Sequence, residues 1–269
     1  MSRVARLDQY YPHVRCVAPY QAARKQAFER RQVPPSTSVI VSGLQDIQAE
    51  VDVQVIAATI ASGYSLREVD TGLNRPEASG YAPCLRVGDL IFVAGQLARD
   101  ASGRLAAHGV EAETDYVVKK RLIPALEASG SALDLVLKAQ VYISQPKDVP
   151  AFWQRWKQAF GTRLPPTTVV PVRHPDFLTS DATVEINVIA AHESARARVR
   201  EVEGARVLDG LLFVGGLTGL NALEHADLSH VVRGLFFQSH PGELPDPGFP
   251  YSAFEVQAGP IVDLWGYVP

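Results

Sequence analysis

The sequence lacks several features that assign a chain to a class of protein. It has only two cysteines, Cys16 and Cys84, at a spacing that fits neither a disulfide framework nor a metal site, so both are expected to be reduced thiols in a cytoplasmic protein. No apolar run approaches the roughly 20 residues of a membrane helix, and the first residues lack the apolar stretch of a signal peptide. A net charge of -3 gives no basic face for nucleic acid. We therefore expect a globular protein with neither a membrane nor a nucleic-acid partner.

An internal repeat is the most informative feature that is present. Segments from the first quarter of the chain recur at an offset of roughly 132 residues, the size of a small domain. The matching pairs are KQAF at 25–28 and 157–160, PPST at 34–37 with PPTT at 165–168, and VDVQVIAA at 51–58 with VEINVIAA at 184–191. A second repeat relates LRVGDLIFVAGQL at 85–97 to ARVLDGLLFVGGLTGL at 205–220.

These repeats divide the chain into three parts. Residues 63–195 form one complete unit, residues 1–62 repeat its back half, and residues 196–269 repeat its front half. Either half alone exposes a partial sheet with unpaired strand edges, which a soluble protein must cover. We therefore expect the two halves to pair as a second, circularly permuted unit, either within one chain or swapped between chains. The alternative is that they are two unrelated appendages.

The complete unit has a clear pattern of secondary structure. Two strands flank a turn at Gly88-Asp89, two segments have helical periodicity, and three more segments are rich in β-branched residues. The predicted strands are 85–87, 90–94, 135–143, 168–172 and 183–190, and the predicted helices are 112–128 and 149–160. The order β-β-α-β-α-β-β predicts an α+β fold with helices on one face of a mixed sheet.

This ordered set of segments resembles the Rid/YjgF family. The matching segments are GDLIFVAGQ at 88–96, ALEASGSALDLVLKAQVYI at 125–143, FWQRWKQAF at 152–160, PPTTVVPV at 165–172 and VEINVIA at 184–190. The resemblance implies a chorismate mutase-like unit with a mixed six-stranded sheet backed by two helices. It also implies trimers around a closed barrel, with ligand clefts between neighbouring subunits. Three chains would supply six such units, so we expect a homo-oligomer, a trimer.

The resemblance implies a site from which two family residues are missing. In deaminating members an arginine in the PPTT-like motif binds the substrate carboxylate, and that position falls on Thr167 here and on Ser36 in the other copy. A family glutamate that holds the attacking water falls on Asn187 and Gln54, whose amides are not general bases near neutral pH. The sequence therefore predicts a cleft without a built-in cation or carboxylate.

Other residues are candidates for the missing roles. Tyr81 matches the family's cleft tyrosine, and Gly95 and Gln96 match its Gly-Gln pair. Arg173 is a candidate carboxylate anchor and His174 a candidate acid or base, because both follow the strand motif where the family cleft opens. The alternative for these two residues is a solvated loop.

Three further features bear on the ligand. Trp153 replaces a polar family residue, and it would make the cleft more apolar and suited to a larger, flatter molecule. Lys119, Lys120 and Arg121 are interpreted as a solvated helix face. The histidines and acidic residues between 225 and 246 match no zinc signature, so no metal is expected.

Two functions are compatible with these observations. The first is a cofactor-free Rid-like enzyme that hydrolyses or rearranges a small imine, enamine or similarly activated conjugated metabolite in a cleft between units. The second is a non-catalytic trimer that binds a small ligand or acts as a scaffold, which the replacement of both family residues in both copies favours.

Overall fold

The structure is a computed structural model that describes residues 3–28, 33–59, 62–74, 80–172, 181–202, 204–218, 231–239 and 251–267. Its helices are α1 (Val17–Ala27), α2 (Val110–Val117), α3 (Ile123–Ala128) and α4 (Val149–Phe160), with a π-helical turn at Val118–Leu122. Its strands are β1 (Val4–Tyr11), β2 (Ser36–Ile40), β3 (Gly43–Leu44), β4 (Asp52–Ala57), β5 (Leu66–Glu68), β6 (Cys84–Val87), β7 (Leu90–Gln96), β8 (Val136–Ile143), β9 (Thr167–Pro171), β10 (Val184–Ala191), β11 (Arg200–Val202), β12 (Ala205–Leu208), β13 (Leu211–Phe213), β14 (Leu217–Thr218), β15 (Val231–Gln238), β16 (Tyr251–Glu255) and β17 (Ile261–Tyr267). Over these described ranges, none of the helices has the length and apolar character needed to span a bilayer.

The central unit has the predicted α+β architecture. Its six-stranded mixed sheet has the order β5-β6-β7-β10-β8-β9, in which only β8 and β9 run parallel. The helices cover one face, where Phe152 and Trp156 of α4 are fully buried in the core. The π-helical turn ends just before Pro124, whose missing N–H removes one helical hydrogen bond. The predicted hairpin, both helices and the element order are confirmed.

The pairing pattern of the central sheet occurs twice more in the chain. In the central unit β10 is antiparallel to β8, and β8 is parallel to β9. In the N-terminal segment β4 is antiparallel to β1, and β1 is parallel to β2. In the C-terminal segment β17 is antiparallel to both β13 and β15, and β15 is parallel to β16. The chain therefore contains three copies of the back-half sheet.

This topology corrects the expected pairing of the two chain ends as one permuted unit. Strand β13, at the end of the front-half repeat, pairs with β17 of its own segment, with Phe213 opposite Trp265. In the part of the chain that the structure describes, β4 pairs with β1 alone. Strands β15–β17 take the place in the sheet that the sequence repeat predicted for residues 1–62. The C-terminal segment thus has its own back half, although the sequence of that half does not visibly repeat the central unit. The two ends still touch, since β3 adds to the free edge of β16.

The three back-half sheets pack around one shared core. Tyr10, Tyr142 and Phe237 are equivalent, because each lies three residues after the first parallel pair of its sheet. The Tyr10 and Tyr142 hydroxyl oxygens are 2.8 Å apart, and the Tyr10 and Phe237 ring centroids are 6.1 Å apart. These side chains belong to a single buried cluster with residues from all three segments. One chain thus places three related sheets around a common pseudo-threefold axis.

This packing bears on the oligomeric state. Because one chain already surrounds the axis with three sheets, we expect a monomer, with a mass near 29.2 kDa by light scattering coupled to size exclusion. The trimer indicated by the sequence stays a prediction, and the same measurement decides between the two. A species of three times the monomer mass at micromolar concentration would contradict the monomer.

Candidate functional site

The sequence-predicted site residues lie at two different clefts. Tyr81, Gly95, Gln96 and Asn187 belong to the side of the central unit that faces the N-terminal segment. Thr167 and Trp153 belong to the opposite side, which faces the C-terminal segment. We call these the N-terminal cleft and the C-terminal cleft.

The N-terminal cleft is held together by main-chain and side-chain contacts between two units. Val33, before β2, forms a parallel bridge with Tyr81, and the Ala82 N–H donates to the Val33 carbonyl at 2.8 Å. Asn187 of β10 donates to the Thr37 hydroxyl at 3.0 Å. The start of β2 is therefore fixed against the central sheet, at the position where the family motif carries its arginine.

An arginine from a different element reaches this position. Arg24 of α1 is 4% exposed, and its guanidinium donates to the Ser36 hydroxyl at 2.7 Å and to the Gln9 amide oxygen at 3.1 Å. In the central unit the equivalent helix residue is Trp156, whose indole N–H donates to the Thr167 hydroxyl at 3.1 Å. The N-terminal copy thus replaces the aromatic side chain with a guanidinium, and Arg24 brings a positive charge to the position of Ser36.

An acidic side chain also enters the N-terminal cleft. Glu185 lies on β10 two residues before Asn187, so both side chains project from the same face of the strand. Its carboxyl group is buried and makes no hydrogen bond or ion pair to any residue that the structure describes. Burial, followed by the charge of Asp8, raises the pKa of Glu185 to about 8. A carboxyl group with this pKa is suited to proton transfer near neutral pH.

Arg121 is a further cation at this cleft. Its Nε donates to the Gln96 amide oxygen at 3.0 Å, and its side chain is half-buried rather than solvated. It lies in the π-helical turn, a distortion that is often found at functional sites. The interpretation of residues 119–121 as a solvated face is therefore wrong for Arg121, although Lys119 and Lys120 are exposed.

These charged groups interact electrostatically with Tyr81. Burial and the charge of Glu185 raise the pKa of the Tyr81 hydroxyl, while the charges of Arg121, Arg24 and Arg99 lower it. Tyr81 is therefore within electrostatic range of a carboxyl group and of three guanidinium groups. The prediction of a cleft without a cation or a carboxylate is wrong for the N-terminal cleft.

The C-terminal cleft has a different chemistry. The Gly216 N–H donates to the Thr167 carbonyl at 3.1 Å, which joins the central and C-terminal units. The adjacent cavity has a volume of about 580 Å³ and is lined by Trp153 with proline, valine and glycine residues, and its described lining carries no charge. Trp153 is part of this lining, and its expected effect on the ligand stays a prediction.

Several candidates lie outside the described residues. Arg173 and His174 are among them, as are the histidines and acidic residues from His225 to His230 and from His240 to Asp246. Their roles stay predictions.

A six-stranded mixed sheet with two helices on one face, and with clefts where neighbouring units meet, defines a Rid-like α+β protein. Comparisons with known proteins agree with this class. The model of the Endoribonuclease L-PSP family matches residues 72–192. A RutC family protein of Saccharolobus solfataricus is 31% identical over 111 residues, which cover 41% of this chain and 85% of that protein. The chain belongs to the Rid/YjgF family.

Other relatives match the same part of the chain. A RutC family protein of Pyrococcus horikoshii is 28% identical over 130 residues, which cover 48% of this chain and all of that protein. A solved YjgF/YER057c/UK114 family structure from Mycobacterium tuberculosis is 26% identical, with a TM-score of 0.41, and covers 47% of this chain and 99% of its own. Each of these two matches covers about half of this chain and nearly all of the relative.

The contact between Gly95 and Glu185 gives a test of the N-terminal cleft. A Cβ atom on Gly95 would lie 1.9 Å from the Glu185 Oε1, so Gly95→Ala must displace the carboxyl group. We expect a destabilisation of about 1–3 kcal/mol and loss of any turnover in this cleft, measured by urea unfolding and by a rate assay. Gly216→Ala is the control at the corresponding position of the C-terminal cleft. Unchanged kinetics in Gly95→Ala would exclude the carboxyl group from the chemistry.

Proposed function

We propose that this protein is a Rid-like enzyme that hydrolyses a small carboxylated imine or enamine in the N-terminal cleft without a cofactor. The observation that carries the proposal is the presence of Arg24 and Glu185 around Tyr81, since these are the two kinds of group that the reaction requires. Family membership supports the reaction class, because the Rid/YjgF family includes enamine and imine deaminases.

Arg24 is the proposed carboxylate anchor. A planar guanidinium offers two parallel N–H donors to a carboxylate, and two neutral partners, Ser36 and Gln9, already fix its orientation. Arg121 is the second cation on the central side of the cleft, fixed by Gln96. A buried cation gains more from a substrate anion than an exposed cation does, because water screens it less.

Glu185 is the proposed general base. In its ionised form it takes a proton from a water molecule, and the water oxygen adds to the carbon of the C=N bond. That proton passes to nitrogen, which gives a tetrahedral carbinolamine. The remaining hydroxyl proton then moves through Glu185 to the amine nitrogen, the C–N bond breaks as the C=O bond forms, and ammonia and a carbonyl compound are released. Tyr81 has a raised pKa, so it stays protonated and is a hydrogen-bond donor to the reacting molecule.

The direct test is an ammonia-release assay on freshly generated imino acids. Each acid is compared with its methyl ester, which keeps the imine but loses the carboxylate charge. We expect release well above the spontaneous rate for the acids and little for the esters. Release that does not depend on the carboxylate would contradict the anchor, and an absence of release from every acid would contradict the enzyme.

Non-catalytic ligand binding is the second candidate function. The uncharged C-terminal cleft favours it, because a cavity lined by Trp153 and prolines binds apolar ligands but contains no described acid or base. Thermal-shift screening with planar aromatic ligands tests this function. Stabilisation that is lost in Trp153→Ala, without any product, would support binding at this cleft.

A further inference from the structure

Three basic side chains from the three segments converge on the pseudo-threefold axis. Arg6, Lys138 and Arg233 are equivalent, because each lies one residue before the first parallel pair of its sheet. All three line a single internal cavity of about 10 Å³. Equivalent positions that face one axis bring like charges together, so this cluster needs negative charge nearby.

Two carboxylates supply part of that charge. Asp263 accepts from the Lys138 ammonium at 2.6 Å. Asp8 accepts from Arg6 at 2.9 Å and lies 3.6 Å from the Arg233 Nη2. By formal charge, three basic groups against two carboxylates leave one positive charge in excess at the cavity.

The next carboxyl groups do not balance this excess charge. Asp52 does not line the cavity, and it accepts hydrogen bonds from Ser252 and Gln54. Glu185 has its pKa raised to about 8 by burial and is largely protonated at neutral pH.

Two N–H donors at the cavity have no acceptor within hydrogen-bonding distance. The Arg233 Nη2 and the Trp265 Nε1 are both buried without a hydrogen-bond partner, and both residues line the cavity. Buried donors without an acceptor destabilise the folded state. An anion at this position would accept hydrogen bonds from both donors and offset the excess positive charge. The volume admits one occupant of about the size of a water molecule.

We propose that this axial cavity binds one small monovalent anion, of the halide class, between Arg233 and Trp265. The anion completes the charge balance of the three equivalent cations. It thereby ties the three segments together at the point where the subunits of a trimer would meet. Its effect is on the stability of the chain, independently of the reaction proposed for the N-terminal cleft.

The test compares sodium chloride, sodium bromide and sodium gluconate at the same ionic strength, because gluconate is too large for the cavity. We expect a saturable rise in the melting temperature of about 3 °C in chloride and bromide relative to gluconate. Crystals grown in bromide should give an anomalous peak at the cavity. Trp265→Phe keeps an aromatic ring but removes one donor, so the halide-dependent shift should shrink at least severalfold, whereas the control Trp153→Phe should keep it.

Two outcomes would overturn the proposal. Equal melting temperatures in all three salts would mean that the cavity holds water or nothing. Bromide peaks confined to the protein surface would mean that any halide effect acts elsewhere. The bromide experiment uses the unmodified chain, so it stays decisive if Trp265→Phe fails to fold.

Discussion

Replacing Glu185 with glutamine is expected to lower kcat/KM for ammonia release by about 10²–10⁴-fold, the usual contribution of a general base. Glutamine keeps the size and polarity of the side chain over Gly95 but cannot accept the proton. In the unmodified chain kcat/KM should rise about tenfold per pH unit and level off above about pH 8, where Glu185 becomes ionised. A pH–rate profile measured under kcat/KM conditions checks both statements.

Stability supplies a readout for Glu185 that does not depend on knowing the substrate. Its pKa is raised from 4.5 to about 8 in the folded chain, so between these values the folded state holds a proton that the unfolded state has lost. The free energy of unfolding should therefore fall as pH rises through this window, by an amount on the order of a few kcal/mol. Glu185→Gln should remove this loss and be the more stable variant at pH 9.

Two further comparisons test the role of Glu185. Asn187→Asp restores a carboxyl group near the position of the family glutamate, so partial recovery of activity in Glu185→Gln/Asn187→Asp would show that the cleft needs one carboxyl group. Identical pH–stability curves for the unmodified chain and Glu185→Gln would contradict the raised pKa. Wild-type turnover in Glu185→Gln would remove the residue from the mechanism.

Replacing Arg24 with methionine is expected to lower kcat/KM for carboxylated substrates by about 10²-fold, mainly through a higher KM. Methionine fills similar space along α1 but provides no donor for a carboxylate. Arg24→Lys should recover only part of the loss, because an ammonium does not offer the planar pair of N–H groups. The measurement is steady-state kinetics on an imino acid and on its methyl ester.

The ester is the internal control for Arg24. If the guanidinium binds the carboxylate, Arg24→Met should affect the acid far more than the ester. Arg155→Met is the matched control variant, since Arg155 lies on the corresponding helix α4 and pairs with Asp115. Equal losses for acid and ester in Arg24→Met would indicate a packing defect and contradict the anchor.

The two clefts differ although they are built from related sequences. The N-terminal cleft has Arg24 beside Ser36, whereas the C-terminal cleft has Trp156 beside Thr167. In a trimer of identical subunits every cleft carries the same residues. Three related sheets on one chain remove that constraint, because each position mutates independently, and one cleft can keep charged chemistry while another becomes apolar.

Some site residues could have been predicted from the sequence. Aligning the KQAF repeats puts Arg24 opposite Trp156, which signals a cation entering an aromatic position. The alternation of a strand puts Glu185 on the same face as Asn187, so a displaced carboxyl group was visible in the VEIN motif. Neither pattern was sufficient to predict the site, because sequence spacing does not show which surface of the neighbouring unit a side chain contacts.

The sequence by itself determined the elements of the central unit, the internal repeat and the family, because all three are recorded in short-range patterns such as helical periodicity, strand alternation and turn residues. Only the tertiary structure decided that β17, rather than β4, pairs with β13, that Arg24 approaches Tyr81 across a unit boundary, and that Glu185 of the central unit is within electrostatic range of the same tyrosine. The reason is physical. A strand edge accepts any backbone partner of suitable register, and the neighbours of a buried charge are set by packing between segments that are far apart in the chain.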